Sequence, residues 1–487
     1  MAKKDFMKAM VTGTPKPLPP IVYAHASVHS IGGQSLFKVS GNVTQQNVEN
    51  YYSESDMVMR AVQQLKAAGF TIYAVNPLTI SIGAPPDVYE KAFGIKLYSE
   101  LRNVIKELGK EDTSSFIMTG NKDMEGTIDT SKSIFSNLIE GISINEPVYF
   151  MNKPIAPPVN YWHLNMPGDV SVGLNAEFAH RQGITGKGVK VYMVDTGWYR
   201  HPYFIQRGYR ASPVVLGPAT ANPQNDESGH GTGESANIFA VAPDVNFTMV
   251  KMSFVDSAGA LNAAVAANPK IISCSWGSSK QFGPLSGNDL VLSATIANAV
   301  RSGITVVFSA GNGHFGFPGQ HPDVISAGGV YLNSNIELQA SDYASGFASS
   351  IFPGRNVPDV CGLVGMKPHA AYIMLPVQPG DQIDIDQSAG GAFPNGDQTL
   401  PNDGWAVFSG TSAAAPQIAG VCALIKQIKP AITPAQIKNI LKRTATDVVM
   451  GNCNSTTGGF PAGPGPDLAT GYGLVNAWAA VTMASTL

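Results

Sequence analysis

Between residues 189 and 312 four short apolar runs, VKVYMVD, VNFTMVKM, PKIISCSW and ITVVFSAGN, alternate with helix-like stretches. A strand with apolar residues on both sides must be covered on both faces, so this alternation predicts a mostly parallel, doubly wound α/β sheet with helices on either side. The chain is long enough for that: 487 residues can bury a large core. Charged residues make up only 14% of it, against about 25% in a typical soluble domain. The net charge of −3 gives no basic stripe for neutralising phosphates, which excludes nucleic acid as the expected partner.

The four cysteines, Cys274, Cys361, Cys422 and Cys453, are too sparse for a disulfide scaffold; Cys274 and Cys422 sit in apolar runs, as buried free thiols do. The most apolar stretches, such as AGVCALI, fall short of the roughly 18 residues that cross a bilayer, so no membrane span is expected. The opening MAKKDFMKAMVTGTPKPLPP has lysines but no apolar signal region or small-residue cleavage site. The expectation is a cytoplasmic protein or one exported by a leaderless route.

Upstream of the alternation the pattern is different. Residues 1–20 hold four prolines and no periodicity, which reads as a flexible tail. Residues 21–145 read as a small α+β domain: SESDMVMRAVQQLKAAG has an amphipathic helical period with Gly69 as its stop, FTIYAV and TISIGA read as strands, and PPDVYEKAFG reads as a short helix. Residues 105–165 are weakly patterned. Their prolines favour extended chain, and 146–165 reads as a linker leading into a catalytic domain over 166–487.

In doubly wound sheets reactive groups gather beyond the carboxyl ends of the strands. Asp195 ends one apolar run before a glycine turn; His230 stands between glycines at a helix start; Asn312 follows another run; and Ser412, in SGTSAAAP, opens a helix with Pro416 in its first turns. A serine hydroxyl attacks well only when an imidazole takes its proton, and that imidazole needs a carboxylate to fix its tautomer. Asn312 and the Ser412 N–H supply donors for a developing oxyanion. Taken singly, each residue also has a plain structural role as a turn, core or capping residue. Their order, Asp, His, Asn, Ser, differs from that of chymotrypsin-like enzymes and α/β-hydrolases, and Ser412 has no G-x-S-x-G elbow.

The segments VDTG, GHGT, SAGNG with FPGQHPDVISAGGV, and SGTSAAAP resemble the four sequence blocks of the subtilisin-like serine peptidases over residues 165–487. That resemblance implies a serine endopeptidase with Asp195, His230 and Ser412 as triad and Asn312 as oxyanion donor. SCSWGS resembles the strand lining the primary specificity pocket, which implies substrate contacts from Ser275, Trp276 and Gly277, with Gly311 beside Asn312. Residues 21–100 resemble the activation prodomain of the sedolisin or kumamolisin peptidases. This implies a zymogen whose prodomain is an intramolecular inhibitor, removed by self-cleavage within the linker. The segment TDVVMGNCNSTTGGFPAGPGPDLATGYG resembles their calcium loop; by that resemblance Asp447 and Asp467 give carboxylates to Ca²⁺, and Val448, Gly463 and Gly465 give carbonyls.

The chain departs from sedolisins in carrying His230, Glu234 and Asn312 where those enzymes have glutamate, aspartate and aspartate. Glu234, one helical turn after His230, either assists the histidine or is a solvated helix carboxylate. Trp276 either narrows the pocket or fills the core. The expected substrate is a peptide or protein. Two rivals use the same residues: a non-catalytic, permanently inhibited peptidase scaffold, and a ligase or cyclase that passes the acyl group to an amine.

Overall fold

The computed structural model describes residues 17–38, 43, 47–107, 110–147, 156–388 and 395–487. Most of the proposed flexible tail and the centre of the proposed linker, residues 148–155, lie outside these. The chain divides into two compact units, Met1–Asn152 and Lys153–Leu487.

The first unit is an antiparallel five-stranded sheet in the order Thr71–Val75, Thr79–Ala84, Val22–Val28, Ile139–Ile144 and Thr127–Asp129. Its core holds Val58, Ala61, Val62 and Leu65 from the Ser55–Ala67 helix and Tyr89 from the Pro86–Phe93 helix. Gly69 and Gly94 follow these helices with φ of 96° and 68°, the left-handed geometry that ends a helix without steric cost to glycine. Sequence patterning missed the strands Val22–Val28 and Ile139–Ile144; the alternation of IKLYSEL marks the start of Tyr98–Glu107, but its hairpin partner Lys110–Met118 left no such sign. In Val22–Val28 the buried positions include Ala24 and Ala26 while Tyr23 is half exposed, so hydrophobicity does not follow burial along the strand.

The second unit is built on an eight-stranded sheet. Strands Asn246–Lys251, Lys190–Asp195, Ile271–Cys274, Thr305–Ser309 and Ile325–Leu332 lie side by side and parallel. Val215–Leu216 extends one edge in parallel, and at the other Ile325–Leu332 pairs with Val360–Leu363 in parallel and with Leu338–Ala340 antiparallel. All four apolar runs read from the sequence are central strands, and Thr305–Ser309 and Ile271–Cys274 are buried throughout. The strand first in sequence, Lys190–Asp195, sits between the second and third, so the winding direction reverses beside its carboxyl end. That reversal opens a crevice at Asp195 and Cys274 where two crossover connections part.

One helix, Thr411–Ile428, runs through the core. From Thr411 to Lys426 every residue but Ser412 is buried, as expected of a helix apolar all round. It packs on the His230–Val241 helix, itself buried from Gly231 onward. Glycine allows this approach: a Cβ at Gly420 would stand 2.7 Å from the Val241 Cβ. All four cysteines are buried free thiols. No helix among the described residues is long and apolar enough to cross a membrane.

Gly420→Val places methyl groups in this seam, and overpacking of this kind costs about 1–3 kcal/mol. Urea unfolding followed by circular dichroism is expected to show a midpoint lowered accordingly.

Candidate active site

The crevice at the winding reversal is a cavity of about 310 Å³. Asp195, His230, Asn312 and Ser412 all line it, as do Ser275, Trp276, Gly277 and Gly311. Eight residues singled out from five separate sequence segments therefore meet in one place.

Asp195 is the last residue of its strand, and His230 is the first residue of its helix. The His230 Nδ1–H donates to Asp195 Oδ1 at 2.7 Å, and the same oxygen accepts the Thr196 N–H at 2.8 Å. This fixes the proton on Nδ1 and leaves Nε2 as the basic nitrogen. Burial alone would lower the His230 pKa, but the charge and hydrogen bond of Asp195 outweigh it and hold the imidazole at about 9.

Ser412 is the second residue of its helix, where backbone N–H groups have no carbonyl one turn back. Four residues on, Pro416 has no N–H to give the Ser412 carbonyl. Ser275 fills that gap: its Oγ donates to Ser412 O at 2.8 Å, while Ser412 Oγ donates to Ser275 O at 3.3 Å. The Asn312 Oδ1 accepts from both the N–H and the hydroxyl of Thr411, each at 2.9 Å. Asn312 and Ser412 line the same cavity.

Trp276 lines the cavity yet is anchored in the core, its Nε1–H on Val194 O at 2.8 Å and its ring edge-on to Phe308. Gly277 lies so close to Phe317 that a Cβ would stand 2.6 Å from its carbonyl oxygen, and Gly311 adopts φ 119°.

Glu234 is not a solvated carboxylate. It is fully buried, with Oε2 accepting from Asn237 Nδ2 at 2.9 Å and Oε1 without a hydrogen-bond partner among the described residues. Asn237 Oδ1 in turn accepts from Gln417 Nε2 at 3.0 Å, so the network links the histidine helix to the serine helix. Burial pushes the Glu234 carboxyl up to about 8, which keeps it protonated at neutral pH. A helical period of apolar residues cannot reveal this, because Gln417 lies far along the chain.

Asp226 escaped the sequence reading altogether. Fully buried, it accepts from Thr196 Oγ1 at 2.8 Å and from the N–H and hydroxyl of Thr232 at 2.8 and 2.7 Å. Thr196 Oγ1 also accepts the Gly231 N–H at 2.9 Å. The cluster clamps the turn after Asp195 to the first turn of the histidine helix. In sequence, Asp226 looks like any acid in a polar loop.

Away from the crevice, the loop carrying the proposed calcium ligands is cross-tied. The Gly465 N–H donates to Asp447 Oδ2 and the Gly463 N–H to Asp467 Oδ2, both at 2.8 Å. Asp467 Oδ1 accepts from the N–H groups of Ala469 and Thr470 at 2.8 Å.

The family model for the Subtilase family matches residues 186–473, more than half of the chain. The chain belongs to this family. It is a serine-type endopeptidase of the subtilisin-like kind. Among curated relatives it is 29% identical over 326 residues to Alkaline elastase YaB of Bacillus sp. (strain YaB), covering 63% of this chain and 68% of the relative. It is also 29% identical over 323 residues to Subtilisin BL of Lederbergia lenta, covering 63% of this chain and 96% of the relative. Among solved structures, a lanthipeptide protease matches with a TM-score of 0.47 at 21% identity, covering 64% of this chain and 93% of that one.

Asp226→Ala leaves two threonine hydroxyls and a backbone N–H without their acceptor. Each orphaned buried donor costs about 1–3 kcal/mol, so thermal unfolding is expected to fall by several degrees. Loss of the clamp is also expected to lower kcat more than it raises KM on a peptide substrate.

Proposed function

We propose that the chain is the zymogen of an endopeptidase that hydrolyses peptide bonds through Asp195, His230 and Ser412, with Asn312 as oxyanion donor. The 2.7 Å bond between His230 and Asp195, in one cavity with Ser412 and Asn312, carries this reading. In the proposed reaction His230 Nε2 takes the hydroxyl proton as Ser412 Oγ attacks the peptide carbonyl carbon. Asp195 stabilises the imidazolium that results. The developing oxyanion meets two donors, Asn312 Nδ2 and the Ser412 N–H, each held by the backbone before substrate arrives. His230 then protonates the leaving amine, and water, activated by the same nitrogen, releases the acyl group. Ser275, Trp276, Gly277 and Gly311 line the substrate side, and Glu234, buried one helical turn beyond His230, supports that helix through Asn237 and Gln417.

The first unit serves as an activation prodomain of the sedolisin or kumamolisin type, inhibiting the second until the chain is cut within 146–165. Supporting this are its separate core and the proline-rich connection that follows it.

Calcium fits the loop around Asp447 and Asp467. No group of three or more His, Cys, Asp or Glu side chains able to hold a metal is found among the described residues, but this loop needs only two carboxylates. The remaining oxygens are carbonyls of Val448, Gly463 and Gly465, none of which accepts a backbone hydrogen bond among the described residues. Hard oxygen donors of this kind suit Ca²⁺, which bound there would neutralise the two acids and fasten the loop.

Ser412→Ala is expected to stay full length and to cleave no peptide, while wild type shortens near residue 150 and turns over a mixed peptide library. Intact mass and product sequencing check both; equal behaviour of the two proteins overturns the triad. The base works only when neutral, so a raised His230 pKa shifts activity upward in pH. The acid limb of kcat/KM is expected well above 6.5, toward about 9. Chelation of calcium is expected to lower the melting temperature of wild type and to leave Asp467→Ala unchanged, as scanning calorimetry would record.

A further inference from the structure

Besides Asp195 and His230, the residues lining the cavity include a third titratable side chain, His314. It stands two residues beyond Asn312, and sequence reasoning gave it no role. Its ring is held on one side, where Nδ1 accepts the Asn312 N–H at 3.3 Å. That bond puts the proton of the neutral ring on Nε2, which has no hydrogen-bond partner among the described residues. Burial lowers the His314 pKa, so the ring is neutral over the range where His230 can act as base.

The backbone beneath the ring is fixed. The N–H groups of Gly313 and His314 both donate to Ser345 Oγ, at 2.9 and 3.1 Å, and that hydroxyl donates to His314 O at 2.7 Å. Thr456 Oγ1 donates to Gly313 O at 2.5 Å. On the near wall Gly311 leaves space for the imidazole: a Cβ there would stand 3.2 Å from His314 Cδ2. Ser309, Ser275, Trp276 and Gly277 line the same cavity. A rigidly held imidazole, its Nε2–H unpaired among the described residues, thus lines the cavity that also holds Ser412, Trp276 and the apolar side chains of Met252, Phe254 and Ile383.

We propose that His314 sets the side-chain preference of the enzyme, selecting peptides whose residue before the cut ends in an oxygen acceptor, glutamine or glutamate. This rests on the peptidase reading above. The Nε2–H donates to the side-chain oxygen while the carbonyl carbon of the same residue sits at Ser412. An apolar side chain leaves the donor dry and unpaired, and a basic one opposes it with a second donor; both lose binding in the transition state.

The test is a set of fluorogenic peptides identical except for Gln, Glu, Leu, Phe or Lys before the scissile bond, turned over by wild type, His314→Leu and His314→Asn. The readout is the ratio of kcat/KM for Gln or Glu to that for Leu. Any disturbance of Asn312 affects all substrates alike and cancels in the ratio. Wild type is expected to favour Gln or Glu over Leu, and His314→Leu to reduce that ratio at least fivefold. His314→Asn keeps a side-chain N–H and is expected to recover part of it. The comparison of Gln with Glu tells an amide from a carboxylate preference.

A ratio unchanged within twofold in His314→Leu, or a wild-type preference for Leu, Phe or Lys, overturns the proposal. If the variants do not fold, cut sites in a denatured protein digested by wild type decide alone: an absence of Gln and Glu enrichment before the cuts rejects it. Failure of the peptidase reading looks different, since wild type then cuts none of the peptides and matches Ser412→Ala.

Discussion

The second unit depends on a helix that has nowhere to go but the centre of the molecule. Thr411–Ile428 is buried on every side, and such a helix is stable only when sheet and helices enclose it together. Enclosure fixes its axis, and with the axis fixed its first turn must emerge at the crevice where the winding of the sheet reverses. The one residue of its first four turns that is not buried is Ser412. The position of the proposed nucleophile is therefore a consequence of core packing rather than of any loop.

The partners of that helix are set by the same logic. Gly420 lets the histidine helix approach closely, and the chain of bonds from Glu234 through Asn237 to Gln417 fixes how far one helix slides along the other. Gln417 Oε1 also accepts the Leu363 N–H at 2.7 Å, which joins the edge of the sheet to the pair. A buried polar network of this kind specifies one register among several that apolar contacts alone would tolerate. On the opposite side Asp226 ties the turn after Asp195 to Thr232, so both ends of the bond between His230 and Asp195 hang on buried supports.

What could be read from the sequence was whatever leaves a local trace. Continuous apolar runs mark strands buried on both faces, and glycines beside Asp195, His230 and Asn312 mark junctions where side chains reach a crevice. The strand Val22–Val28 left no such trace because alanines fill its inner face. Asp226 and Glu234 were illegible for another reason: burial of an acid depends on partners supplied by distant segments, and a carboxyl on a helix looks the same whether water or Asn237 meets it. The gap left by Pro416 was visible as a proline, but its repair by Ser275 was not. His314 gave no signal, since its importance comes from the wall it shares with Gly311 and not from its neighbours in sequence.

The bond from Thr456 to Gly313 gives the chain an order in time as well as in space. During synthesis the strands, the histidine and the oxyanion segment all emerge well before Ser412, yet the loop bearing Asn312 lacks its outer brace until residue 456 has left the ribosome. A nascent chain stalled between those two points carries every proposed reacting group and still has an unbraced site. The loop bearing Asn312 is thus braced by a residue that the chain supplies only after all the proposed reacting groups.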